Sequence, residues 1–294
     1  VRAVKEGMTS SEPITLTYLL KPSVADQDPI PDSAFTDGIL TIPQLLETER
    51  KGQTVTVLGQ LTYRYSTNSG VFQDVINGET VSLIASGSDI AKAGIGDVLK
   101  LTFTLNTWSM SLSKTEKVSH ATPLEPQEFD SFADLLKVKE ELPGAVVLLK
   151  NVTLPDYTSG SITVKDSQGK SLTISKPAAF PVGIGKGDVA DLVCAMPSSV
   201  ADSAPKLSLG SEKQNAAPTI KLVGGDTRGP NITLLSSLDG IKKGESFDIS
   251  VQVEDYTGVK SVSLVYTVNG KDSESIPLTA EKDKSVYQYT IPST

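Results

Sequence analysis

The sequence predicts an all-β protein: two tandem five-stranded barrels followed by a C-terminal β-sandwich. Three observations carry that prediction. A stretch of roughly 90 residues beginning near Thr41 recurs beginning near Phe132, and a fixed period of that size marks duplicated modules. Apolar and polar residues alternate in short runs, as half-buried strands require. Turn residues separate these runs at Asn77-Gly78, at Asp166-Ser167-Gln168-Gly169 and at Asn269-Gly270, where tight hairpins need positive φ.

The repeat is anchored by landmarks in a common order. Pro43-Gln44-Leu45-Leu46 precedes the strand-like run 54–62, as Ala133-Asp134-Leu135-Leu136 precedes the run 145–153. Val71-Phe72-Gln73-Asp74 matches Ile162-Thr163-Val164-Lys165-Asp166, and Gly96-Asp97-Val98 matches Gly187-Asp188-Val189.

Along the chain, Val1, Ala3, Leu16, Tyr18 and Leu20 alternate like the last two strands of a sandwich. Two strands cannot bury a core alone, so residues 1–21 are expected to be the remnant of another domain, and the chain a piece of a longer protein. Residues 22–32 are rich in Pro and Asp and read as an extended linker. The first module, 33–125, opens with a helix over Ile42 to Arg50, with Thr41 as cap and Pro43 in the first turn. Strands follow, interrupted by Asn68-Ser69-Gly70 and Asn77-Gly78, then a short helix over 88–92, a strand from Val98 to Leu105, and a last strand pair. Gly59, inside the first strand, is expected to form a bulge. The second module occupies 126–216, with Asn151 where Gly59 aligns. Residues 217–294 carry the alternating runs 246–253 and 262–268, a turn at Glu254-Asp255-Tyr256-Thr257-Gly258-Val259, and a closing strand near Tyr287-Gln288-Tyr289.

A long first strand, a hairpin, a short helix and two more strands is the order of the OB-fold, a Greek-key barrel. The short helix, "TVTVLGQLTYRY", "VFQD" and "IGDVLKLTFTLNTW" together resemble the OB-fold modules of secreted Gram-positive nucleases and phosphoesterases. That resemblance implies an accessory role beside a catalytic domain elsewhere in the same longer chain. "VRAVKEGMTSSEPITLTY" resembles the close of the small β-sandwich at the C-terminus of chitobiase-type hexosaminidases. Residues 217–294 resemble a bacterial Ig-like module, whose usual role is to space domains along a secreted chain. The resemblances imply an extracellular or cell-wall-attached protein.

Composition narrows the chemistry. The 294 residues carry a net charge of −8, which argues against strong non-specific binding to phosphate backbones. One cysteine, Cys194, allows no internal disulfide, and one histidine, His120, allows no His-rich metal centre. No run approaches the roughly 20 apolar residues of a membrane span. The carboxylate pairs Glu47/Glu49 and Glu140/Glu141 read as solvated helix faces. Glu254-Asp255 offers the hard oxygen ligands that calcium takes, but Asp255 followed by Gly258 reads as a plain turn. The region is therefore expected to be non-catalytic, monomeric and without a cofactor.

The best binding constellation is Tyr63, Arg64, Tyr65 and Phe72, with Trp108 in the loop between the fourth and fifth strands. Aromatics beside a cation suit a single-stranded nucleic acid, and an extended polysaccharide is the other polymer considered. Val55, Val57, Leu61, Tyr63 and Tyr65 share one parity, so an unbroken strand puts both tyrosines in the core and a bulge at Gly59 turns them outward. The expected role is to hold such a polymer for the catalytic domain; the alternative is a structural stalk or adhesin segment that binds a glycan or host protein, or acts only as a spacer.

Overall fold

The computed structural model describes residues 30–294 except 37, 108, 157–159, 176–179, 200–203, 227, 238, 240–243, 269, 281–284 and 294. The expected remnant 1–21, most of the linker and Trp108 lie outside the described residues. The rest is mainly β.

The first module holds β1 (Ile39–Leu40), α1 (Ile42–Glu47), β2 (Gln53–Ser66), β3 (Ser69–Ile76), β4 (Glu79–Ser86), β5 (Asp97–Asn106) and β6 (Ser109–His120). Thr41 and Gln44 form a reciprocal capping box at the start of α1. The helix stops short of Arg50 because Thr48 is already extended, its hydroxyl donating to the Gln44 carbonyl at 2.6 Å. Asn77 and Gly78 both take positive φ, which gives the β3–β4 hairpin its tight turn. The strands run β4-β3-β2-β5-β6.

This sheet is open, so the expected first barrel does not form. β4 and β6, the strands that would have to meet, share no ladder among the described residues. The cause lies in β2. Its ladder with β5 runs unbroken from Gln53↔Leu105 to Gln60↔Val98, passing through Gly59↔Leu99 with no bulge. A strand without a bulge there lacks the local bend that closure needs. Gly59 serves a different purpose: a Cβ on it would sit 2.9 Å from Phe72 Cβ, so glycine lets the aromatic ring lie across the strand.

The second module holds β7 (Gln127–Phe129), α2 (Phe132–Val138), β8 (Val146–Thr153), β9 (Ser161–Lys165), β10 (Ser171–Ser175), β11 (Val189–Ala195), β12 (Lys206–Leu209), α3 (Glu212–Asn215) and β13 (Ile220–Leu222). Here the circuit β8-β9-β10-β12-β11 returns to β8 and closes a five-stranded mixed barrel, with β10 and β12 parallel. That order is compatible with an OB-fold. The bulge absent at Gly59 is present at its counterpart: β8 gains a residue between Leu149 and Val152, and Asn151 sits at φ 53. Asn151 N–H and Lys150 Nζ bond the two oxygens of Asp191 at 2.9 and 2.6 Å, which fixes the bend. Leu149, Val164, Leu172, Ile174, Leu192, Cys194 and Leu207 fill the barrel.

The repeat reappears in two identical turns. Asp97 Oδ2 accepts the Gly94 N–H at 2.8 Å, and Asp188 Oδ2 accepts the Gly185 N–H at 2.7 Å. Gly96 and Gly187 both hold positive φ, a conformation few other residues accept.

Beyond β13 come β14 (Asn231–Leu234), β15 (Phe247–Glu254), β16 (Val262–Leu264), β17 (Thr267–Val268), β18 (Lys271–Asp272), β19 (Ile276–Leu278) and β20 (Val286–Ile291). They form an antiparallel sheet, β14-β15-β20, and the ladders β16–β19 and β17–β18. Val253 is the one deeply buried apolar side chain of this part among the described residues.

Candidate functional site

Of the residues expected to bind a polymer, Tyr63 and the Arg64 main chain meet the second barrel instead of solvent. β2 slips against β3 between Leu61 and Tyr63, so Thr62 is the extra residue of a bulge. Parity flips there, three residues later than Gly59. Leu61 stays in the core of the first sheet with Val57 and Phe72. Tyr63 points the other way and packs with Val71, Val146 and Ala195, and Tyr65 lies half-buried against the same cluster.

Tyr63 is 2% exposed, and its hydroxyl donates to the Val193 carbonyl at 2.7 Å while accepting the Gly210 N–H at 2.6 Å. Burial pushes its phenol well above the ordinary value, reinforced by the nearby Cys194 and offset in part by the Gly210 N–H. A neutral hydroxyl that both donates and accepts is therefore the state held there.

Arg64 contributes its main chain. Arg64 pairs with Gly70 of β3, and it lies beyond the end of the β2–β5 ladder at Gln60↔Val98, so its other side meets the second module. The Asn215 side chain bonds it twice: its Oδ1 accepts the Arg64 N–H at 2.7 Å and its Nδ2 donates to the Arg64 carbonyl at 2.8 Å. Gly210 stands so close that a Cβ would fall 2.0 Å from that carbonyl oxygen. The guanidinium turns inward, Nη2 donating to the Ile90 carbonyl at 2.5 Å and to the Ala93 carbonyl. Burial lowers its pKa, with Asp97 acting in the opposite sense. Phe72 is fully buried.

A neighbouring clamp fixes residues 121–124, the link between the first and second modules. The buried Gln60 donates to the carbonyls of Ala121 and Thr122, each at 3.0 Å, and accepts the Leu124 N–H at 3.3 Å. A cleft of about 400 Å³, lined among others by Thr62, Tyr63, Leu124, Pro126, Lys150 and Asp191, runs beside it between the modules. Lys117 Nζ and His120 Nδ1 reach Asp97 Oδ1 at 2.7 and 2.8 Å, and Arg228 Nη2 reaches Asp188 Oδ1 at 2.8 Å. Each repeated turn thus ties down chain that leaves its module. Burial alone would raise the Asp97 carboxyl, but Lys117, the Gly94 N–H and His120 together hold it below the usual range.

Tyr63 and Arg64 are thus brought together as a junction, Tyr65 borders it and Phe72 serves the core. Glu47, Glu49, Glu140 and Glu141 are exposed, and Asp255 caps a turn by accepting the Thr257 N–H and hydroxyl at 2.9 and 2.7 Å. Among the described residues no group of three His, Cys, Asp or Glu is placed to hold a metal. No helix of the described residues is long and apolar enough to cross a membrane. Asn215, Gly210 and Gln60 carry the junction and escaped the sequence reading. Asn215 had one visible signal, the Ser211-to-Gln214 capping box that starts α3, of which it is the last residue. Comparison with protein-family models finds no match, and neither does comparison with curated proteins.

Proposed function

We propose that this region is a non-catalytic positioning unit of a larger extracellular bacterial protein, in which an open OB-like sheet and an OB-like barrel act as one rigid arm ahead of an Ig-like spacer. The observation that carries the reading is the junction at Tyr63, Arg64 and Asn215. Four hydrogen bonds cross it, and a buried apolar cluster lies beside them. A junction of that kind keeps two modules from moving independently. The chain leaving the second module is tied by Arg228 to Asp188, and Tyr256 Oη donates to the Ile220 carbonyl at 2.9 Å, which extends the same rigidity to the third part. In this reading the protein works as a monomer, and the catalytic domain lies elsewhere in the longer chain.

Limited proteolysis and small-angle scattering test it. The wild-type chain should resist cleavage within 121–126 and scatter as one elongated body. Cleavage there as fast as in Gly210→Val, together with scattering that fits only freely jointed modules, defeats the proposal. The polymer-holding role is supported by a separate observation, the outward face of the second barrel, and is taken up next.

A further inference from the structure

The outer surface of the first module at β2 and β3 is taken up by the junction, but the outer face of the second barrel along β9, β10 and β12 is open. Along β9, β10 and β12 the inward side chains Ile162, Val164, Leu172, Ile174, Leu207 and Leu209 are buried. Strand alternation turns the others outward. They line up across the strands: Lys165 opposite Ser171, Thr163 beside Thr173 beside Lys206, and Ser161 beside Ser175 beside Ser208. Lys170 extends the surface at the β9–β10 turn.

None of these outward residues is a carboxylate. Lys165, Lys170 and Lys206 are exposed and form no ion pair among the described residues, whereas Lys92, Lys114, Lys117, Lys137, Lys150 and Lys186 all do. On the first sheet, by contrast, Lys100 stands opposite a carboxylate, Glu116, which pairs with Lys114 at 3.4 Å. A chain of net charge −8 therefore presents, among the described residues, lysines and no carboxylate along one sheet face, at the place where OB-type barrels take ligands.

We infer that this β9–β10–β12 face binds an acidic polysaccharide, holding its carboxylates with Lys165, Lys170 and Lys206 and its hydroxyls with the Ser and Thr rows. Charge complementarity selects a polyanion. The absence of aromatic side chains among these outward positions selects a glycan over single-stranded nucleic acid, whose binding draws on base stacking. Lys165 and Lys206 lie two strands and two residues apart, about 12 Å from sheet spacings. An extended chain meets both lysines and a single sugar acid meets one, so polymer should bind far better than monomer. This inference is independent of the positioning role, because Lys165, Lys170 and Lys206 take no part in the junction contacts named above.

The test titrates the whole 294-residue chain with polygalacturonate, galacturonic acid, neutral dextran and an oligothymidylate, at low and moderate salt. Polygalacturonate alone should bind, with affinity falling as salt rises. Lys165→Ser with Lys206→Ser should weaken it about tenfold or more, while Lys100→Ser leaves it unchanged. Circular dichroism confirms that these surface variants fold. No binding of polygalacturonate, equal binding by the double variant, or equal binding of dextran overturns the inference. Oligothymidylate binding as tight as polygalacturonate overturns the choice of glycan in favour of nucleic acid.

Discussion

Tyr63→Phe isolates the junction from the packing around it. The phenyl ring still fills the cluster with Val71, Val146 and Ala195, so no cavity forms. What disappears is one oxygen that served two buried groups, the Val193 carbonyl and the Gly210 N–H. Each orphaned buried group costs about 1–3 kcal/mol, so the variant should lose about 2–4 kcal/mol, most of it at the junction. Urea unfolding followed by circular dichroism and by pulse labelling of Cys194 reads this out, since Cys194 lies in the second barrel's core and reports that barrel alone. The wild type should unfold with coincident signals. The variant should show a lower midpoint, and the first module should come apart before Cys194 becomes reactive. Asn215→Ala should act in the same way, and the double variant should fall short of the sum by about 0.5 kcal/mol or more, because both bonds belong to one contact. A Tyr63→Phe midpoint within about 0.5 kcal/mol of wild type, with linker protection intact, would refute the claim that this hydroxyl locks the modules.

Four further outcomes follow from named contacts. Gly59→Ala should destabilise the first module by about 1–3 kcal/mol in urea melts, because its Cβ would press on Phe72 Cβ at 2.9 Å. Asn151→Val should cost about 1–3 kcal/mol, since a β-branched residue resists the left-handed φ of 53 that the bulge requires, while Asn151→Gly should be close to neutral. Asp97 has its carboxyl held below the ordinary range in the folded state, so its contribution is complete above about pH 4 and is lost as pH falls below that. Acid titration of Asp97→Asn should accordingly show a smaller loss of stability below that pH than wild type. Cys194, fully buried with its thiol pushed up by that burial, should resist thiol reagents in native buffer and react at once in denaturant.

Much of the architecture was legible because it rests on local chemistry. The Asn77-Gly78 hairpin, the capped helix after Thr41 and the paired glycine-aspartate turns are all dictated by residues adjacent in sequence. Closure was not, because it depends on where a strand bends. Gly59 looked like the bulge and Asn151 like the departure from it, yet close approach of Phe72 explains the glycine, and the asparagine takes the left-handed turn. The surroundings of the expected site were not legible for a related reason. Tyr63, Arg64 and Tyr65 do sit past a bulge, as an outward aromatic pair requires, but the outward side of β2 is covered by a partner more than a hundred residues away in the same chain. Nothing within β2 distinguishes a stacking platform from a docking surface. Both need a tyrosine with an apolar body and a polar tip.

The divergence of the two copies fits a division of labour. A given patch of a duplicated module's outer surface can serve a ligand or a neighbour, but not both. The first copy keeps the aromatic residues there and spends them on Val193, Gly210 and Asn215. The second carries lysines and hydroxyls on its β9–β10–β12 face, which is left open to solvent. If the faces are specialised in this way, the variants should separate cleanly. Lys165→Ser with Lys206→Ser should abolish polyanion binding without moving the urea midpoint, and Tyr63→Phe should lower the midpoint without changing polyanion affinity at temperatures where the chain stays folded. Cross-effects in either direction would mean that junction and face are coupled, and the two copies would then have to be read as one site.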